Sequence, residues 1–171
     1  MGEFADNEID YVRWQNRACR FYLGARLLHR SEFQAPAAYS AAIAFELLLK
    51  ATLIYWDQSF DPLDGGHGMA KLMRMVKNKA RNAKQLAIPT YFYHEQRYLT
   101  VSRYPTNGKG LCIPSSFRED LDKVFVDLVL LVPFQRNTEL KRALSGKDRT
   151  ALLALRYKNQ QMRSLRKGLS A

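Results

Sequence analysis

The chain has 171 residues, 47% hydrophobic and 12% aromatic, which suits one domain with a sizeable core and argues against global disorder. Its formal net charge of +11 points to anionic rather than cationic partners. No run of about 18 or more uncharged apolar residues occurs, so no membrane span is expected; the nearest run, Ala35 to Ile54, is interrupted by Glu46 and Lys50.

The first periodic segment extends from about Asn7 to His29. Tyr11, Trp14, Ala18, Phe21, Ala25 and Leu28 recur there at alternating steps of three and four, one helical stripe, while Arg13, Arg17, Arg20 and Arg26 fall between them and are expected to point elsewhere. SEFQAP breaks the pattern, and Pro36 suits the first turn of a second helix reaching about Asp57. That helix is apolar nearly all round, which places it at the centre of a bundle or against a second subunit, and its alanines at 37, 38, 41, 42 and 44 permit close approach. SFDPLDGGHG is a turn by its Pro and Gly content. A third helix, about Gly68 to Arg81, turns Met69, Leu72, Met73 and Val76 inward and leaves a basic outer face.

Residues 82–115, with Pro89, Pro105 and Pro114, resist a long helix. Thr90 to Ser102 suits a short one, and a turn at Asn107-Gly108 joining two short strands is the alternative. The fourth long helix spans about Ser116 to Phe134, with Phe117, Leu121, Val124, Leu128 and Leu131 on one stripe. A capping box of Ser116 and Glu119 is expected at its start, with Ser115 as the other candidate cap, and Pro133 marks its end. Beyond Gly146, Lys147 to Leu169 fits one basic amphipathic helix carrying Leu152, Leu155, Met162, Leu165 and Leu169.

Charge divides the chain unevenly. Residues 136–171 hold ten Lys/Arg against two acidic residues, whereas residues 1–135 hold seventeen against fourteen. The expected organisation is a helical bundle over 1–135 and a basic extension over 136–171. Arg149, Arg156, Lys158, Arg163, Arg166 and Lys167 would attract a polyanion through counterion release, and the bland alternative is a solvated helical tail. Cys19 and Cys112 lack metal-ligand spacing and form no CxxC, which favours a reduced, cytoplasmic setting. The acidic MGEFADNEID start lacks the features of a secretory signal, and Asp6 stands where myristoylation would need Ser or Thr.

Within AFELLLKATLIYW, Glu46 and Lys50 lie at i, i+4 in the favourable order. A buried carboxylate needs real partners, and Arg103, Tyr98, Tyr104 and His67 are the candidates. The expected role is therefore structural, tying the second helix to the irregular segment, with a ligand or active site and simple exposure as the alternatives. His67 precedes a helix and suits either an anion contact or a capping or packing role. Arg97, Tyr98, Arg103 and Tyr104 interleave cations and aromatics, a combination fit for stacking on bases and pairing with phosphate, and equally for packing a loop onto a bundle. Tyr91, Phe92 and Tyr93 read as an aromatic plug over the core. No phosphate-binding glycine loop, metal-ligand pair or cofactor fingerprint is present in the sequence.

The alanine-rich AAYSAAIAFELLLKATLIY, the turn leading into GHGMAKL, and YLTVSRYP before a last long helix together resemble the HEPN family, the higher eukaryotes and prokaryotes nucleotide-binding domains. The likeness covers roughly residues 8–135. It implies an all-α, antiparallel four- to five-helix up-and-down bundle, often a homodimer. It also implies a role in contacting RNA, a nucleotide or a partner protein in a bacterial defence or toxin–antitoxin type system. Catalytic members are metal-independent RNases carrying an Arg, four to six residues, then a His near the start of the last core helix. Here the histidines are His29, His67 and His94. None has an Arg at the required upstream distance, and Arg118 on the last helix has no following His. The expectation is a non-catalytic binding module without cofactor, with a divergent RNase using Arg97, Arg103 or His94, or a structural homodimerising protein, as alternatives.

Overall fold

The computed structural model describes residues 3–57, 59–63, 66–93, 113–134 and 139–170. Helices α1 (Glu3–Arg30), α2 (Gln34–Trp56) and α3 (Met69–Lys79) are followed by a short 3-10 turn, Arg81–Ala83; then come α4 (Phe117–Val129), α5 (Glu139–Leu144), α6 (Arg149–Arg156) and α7 (Met162–Ser170). No strand occurs among the described residues. The Asn107-Gly108 turn lies outside them.

The two long helices pack along their length. Their turn is a Schellman motif: the Phe33 N–H donates to the Leu28 carbonyl at 2.9 Å and the Glu32 N–H to the His29 carbonyl at 3.1 Å, with Glu32 in the left-handed region at φ 64°. The same motif closes α5, where Gly146 takes the left-handed position at φ 78° and the Lys147 N–H reaches the Arg142 carbonyl at 3.1 Å.

Helix α2 is the centre of the core. It is long and apolar enough to cross a membrane by length and composition, yet most of it is buried beneath the other elements. Phe45, Leu48, Leu49 and Leu53 are wholly enclosed, and Ala37, Ala38, Ala41 and Ala44 lie against neighbours with almost no exposure. Phe92 sits beneath this layer, edge-on to Phe45 at 4.8 Å and 5.6 Å from Phe117, the aromatic plug expected of that segment. Tyr22 stacks on Phe125 at 3.6 Å, joining α1 to α4.

Four sequence expectations are corrected. Arg26 does not point away from the core: it is buried, because α4 and the C-terminal segment close over that side of α1. Helix α4 stops at Val129 rather than Phe134. Pro133 disfavours helix in the residue before it, and side chains take the released carbonyls instead: Gln15 donates to Val129 O at 3.2 Å and Trp56 Nε1 to Leu131 O at 3.2 Å. The capping box does not form, since Ser116 has helical dihedrals and donates to Asp120 Oδ2 at 2.8 Å while Glu119 turns to Arg118. Finally, Lys147 to Leu169 is not one helix. Asp148 caps α6 by accepting from the Ala151 N–H at 2.9 Å, the chain breaks at Tyr157 with Lys158 at φ 47°, and Asn159 starts a new turn by accepting from the Gln161 N–H at 2.8 Å.

The C-terminal segment packs on the rest. Leu140, Ala143, Leu155 and Leu165 are fully buried in the same core cluster as α1, α2 and α4. Arg26 is its anchor. Nε donates to Ala154 O at 2.8 Å, one Nη donates to Tyr157 O, and the other pairs with Asp122, which also accepts from the Tyr22 hydroxyl at 2.8 Å. Asn159 completes the cluster by donating to the Tyr22 oxygen at 3.2 Å.

Candidate nucleic-acid interface

The sequence-predicted residues fall in three places. Arg97, Arg103 and Tyr104, with Tyr98 and His94, lie outside the described residues. Glu46, Lys50 and His67 come together: Lys50 Nζ is 3.2 Å and His67 Nδ1 2.9 Å from Glu46 Oε1. The lysine is buried beneath the Trp14 ring, its Nζ 5.4 Å from the ring centroid, which spreads its charge over a π face as well as the carboxylate. His67 is not packed between helices: its side chain is 85% exposed and Gly68, not His67, occupies the cap of α3. An anion approaching His67 would meet the Glu46 carboxylate beside it, so this trio suits fastening His67, just ahead of α3, to α2 better than holding phosphate. The third group, Arg149, Arg156, Lys158, Arg163, Arg166 and Lys167, is exposed along α6, the break after it and α7, while Ala151, Ala154, Leu155 and Leu165 of these helices are buried.

A further site lies on the side of α1 away from its apolar stripe. Arg13, Arg17, Arg20 and Gly24 follow at i, i+4, i+7 and i+11, one helical face, and with Asn16, Phe21 and Ser40 of α2 they line an open groove of about 550 Å³. Gly24 adds no side chain to it, and apart from the neighbouring turns of its own helix backbone the space where a Cβ would stand is open. Three guanidinium groups along one wall, each carrying several N–H donors in a plane, make a positive channel matched to phosphate oxygens, and Phe21, half-buried against the core, lines it beside them. Arg20 Nη2 meets Glu139 Oε1 at 2.9 Å, and Asn16 Oδ1 accepts from the Glu139 N–H at 2.9 Å, so the start of α5 forms one rim. The arginine row at helical spacing is visible in the sequence, but that Ser40 of α2 and Glu139 of α5 lie beside it is not.

Among the described residues that line the groove there is no His, Cys, Asp or Glu, and the Glu139 carboxylate on its rim is engaged by Arg20. His29 lies elsewhere, at the end of α1, its ring stacked on Phe117 at 5.2 Å. Desolvation, then Arg118 and Arg26, push its pKa down. Arg118 of the last core helix is itself turned to Glu119. No group of three or more His, Cys, Asp or Glu that could hold a metal ion occurs among the described residues. Comparison with protein-family models, curated proteins and solved structures finds nothing that matches this chain.

Proposed function

We propose that this chain is a non-catalytic RNA-binding module, a HEPN-like antiparallel up-and-down bundle working as a homodimer within a bacterial defence or toxin–antitoxin type system. The observation that carries the RNA-binding reading is the arginine-lined groove on α1, open to solvent and backed by an aromatic side chain. The exposed basic faces of α6 and α7 support it by extending positive surface beyond the groove. A cationic channel with a π face takes single-stranded RNA largely independently of sequence: phosphates on the arginines, a base on Phe21.

The test is fluorescence anisotropy with a labelled single-stranded RNA of mixed sequence. Affinity falls steeply as salt rises, and Arg17→Ala lowers the slope of log K against log salt by about 0.7, the share of one phosphate contact. A salt-insensitive interaction would point instead to an apolar protein interface. RNA cleavage by pure protein in excess chelator, lost on His94→Ala, would replace the non-catalytic reading with the divergent RNase.

A further inference from the structure

Resting on the RNA-binding reading of the groove, we propose that Glu139 is a built-in competitor for it: its carboxylate holds, at Arg20, the place that one phosphate of bound RNA takes. Ligand entry and release of that carboxylate are then a single exchange. A carboxylate oxygen and a phosphate oxygen make the same charge-assisted bond to a guanidinium, so one substitutes for the other without rebuilding the site. The geometry favours exchange. The Arg20 side chain is 65% exposed and that of Glu139 26%, so the 2.9 Å pair opens to water without unfolding anything. Helix α5 stays docked when it opens, because Leu140 and Ala143 are fully buried in the main core. Arg17 and Arg13 stand about 4.5 and about 10.5 Å further along the axis of α1, placed to hold neighbouring phosphates while Arg20 changes partner. The Glu139 charge also reaches into α1 from this rim: after burial, it is the next cause pushing the Cys19 thiol up. Two of the seven lining residues, Asn16 and Arg20, are thus engaged by one acidic residue more than a hundred positions away in sequence.

The experiment uses the full chain and the labelled single-stranded RNA, at low salt. Glu139→Gln is expected to tighten binding about twofold to fivefold, the range set by a partly exposed ion pair. In an Arg20→Ala background the same change is expected to add nothing, since the competed cation is gone. Glu32→Gln, which removes an exposed acid at the α1–α2 turn outside the groove, controls for net charge. Unchanged or weaker binding by Glu139→Gln overturns the proposal, as does a gain matched by Glu32→Gln or kept in full when Arg20 is absent. Should Glu139→Gln fold poorly, Glu139→Asp, which keeps the charge but shortens its reach to Arg20, is expected to tighten binding in the same direction, and its failure to do so counts equally. If Arg17→Ala leaves RNA affinity untouched, or wild-type protein binds no RNA, the groove reading fails and this inference with it; if Arg17→Ala weakens binding while Glu139→Gln does not tighten it, only the competitor role is lost.

Discussion

Arg26 shows how one side chain decides the tertiary arrangement. Its guanidinium satisfies a buried carboxylate and two carbonyls at the end of α6, groups that come from two separate stretches of chain. Burial pushes the Asp122 carboxyl up, and Arg26 is the main influence holding it down. Arg26→Met keeps the bulk and removes the charge, leaving Asp122 uncompensated; a loss of about 3–5 kcal/mol in chemical denaturation is expected. His29 gives a pH-dependent effect. Desolvation holds its folded pKa below the unfolded value, with Arg118 and then Arg26 also opposing its charge and Glu119 and Asp122 favouring it. Below about pH 6.5 the unfolded chain therefore binds the proton more readily than the folded one, so this contribution to stability falls as pH drops from neutrality through the folded pKa. Melting temperature should decline between pH 7 and pH 5 more in wild-type protein than in His29→Phe, which keeps the stack on Phe117; equal declines would assign the effect to other groups.

At the scale of elements, helix ends carry clear consequences. Glu32 occupies a left-handed C-terminal position that its counterpart in α5 fills with Gly146. Glu32→Gly is expected to raise the melting temperature slightly, by relieving a strain of roughly 1 kcal/mol partly offset by unfolded-state entropy. Gly24 is the reverse case: mid-helix, with open space where a Cβ would stand, so Gly24→Ala should stabilise by about 0.5–1 kcal/mol in the same melts. The break between α6 and α7 follows the same logic. Arg26 and Asn159 bond across to the core there, and those bonds take precedence over the continuous apolar period that favoured one helix.

For the whole molecule, the C-terminal segment is both basic surface and core. Truncation after Phe134 removes Leu140, Ala143, Leu155 and Leu165 from the core and strips Arg26 of two carbonyl partners. The expected outcome is a lost or strongly lowered cooperative thermal transition, rather than only the flatter salt dependence a free tail would give. A truncated protein melting like wild type would show that the segment adds charge without adding stability.

That the chain is helical, where α1 to α3 lie and where α4 begins to within a few residues, and that Phe92 and the alanine face of α2 go inside, were all legible in the sequence. Those properties are local: apolar period, proline and glycine punctuation, and side-chain size. Glu46 and Lys50 were legible as a pair because i, i+4 spacing fixes their contact on any helix. Four features became visible only in three dimensions: Arg26 is buried, Gln15 and Trp56 bond the carbonyls at the end of α4, the C-terminal segment packs on the core with its basic stretch split into α6 and α7, and Glu139 meets Arg20. Each depends on partners distant in sequence, whose charges and hydrogen bonds carry no period for a one-dimensional pattern to reveal.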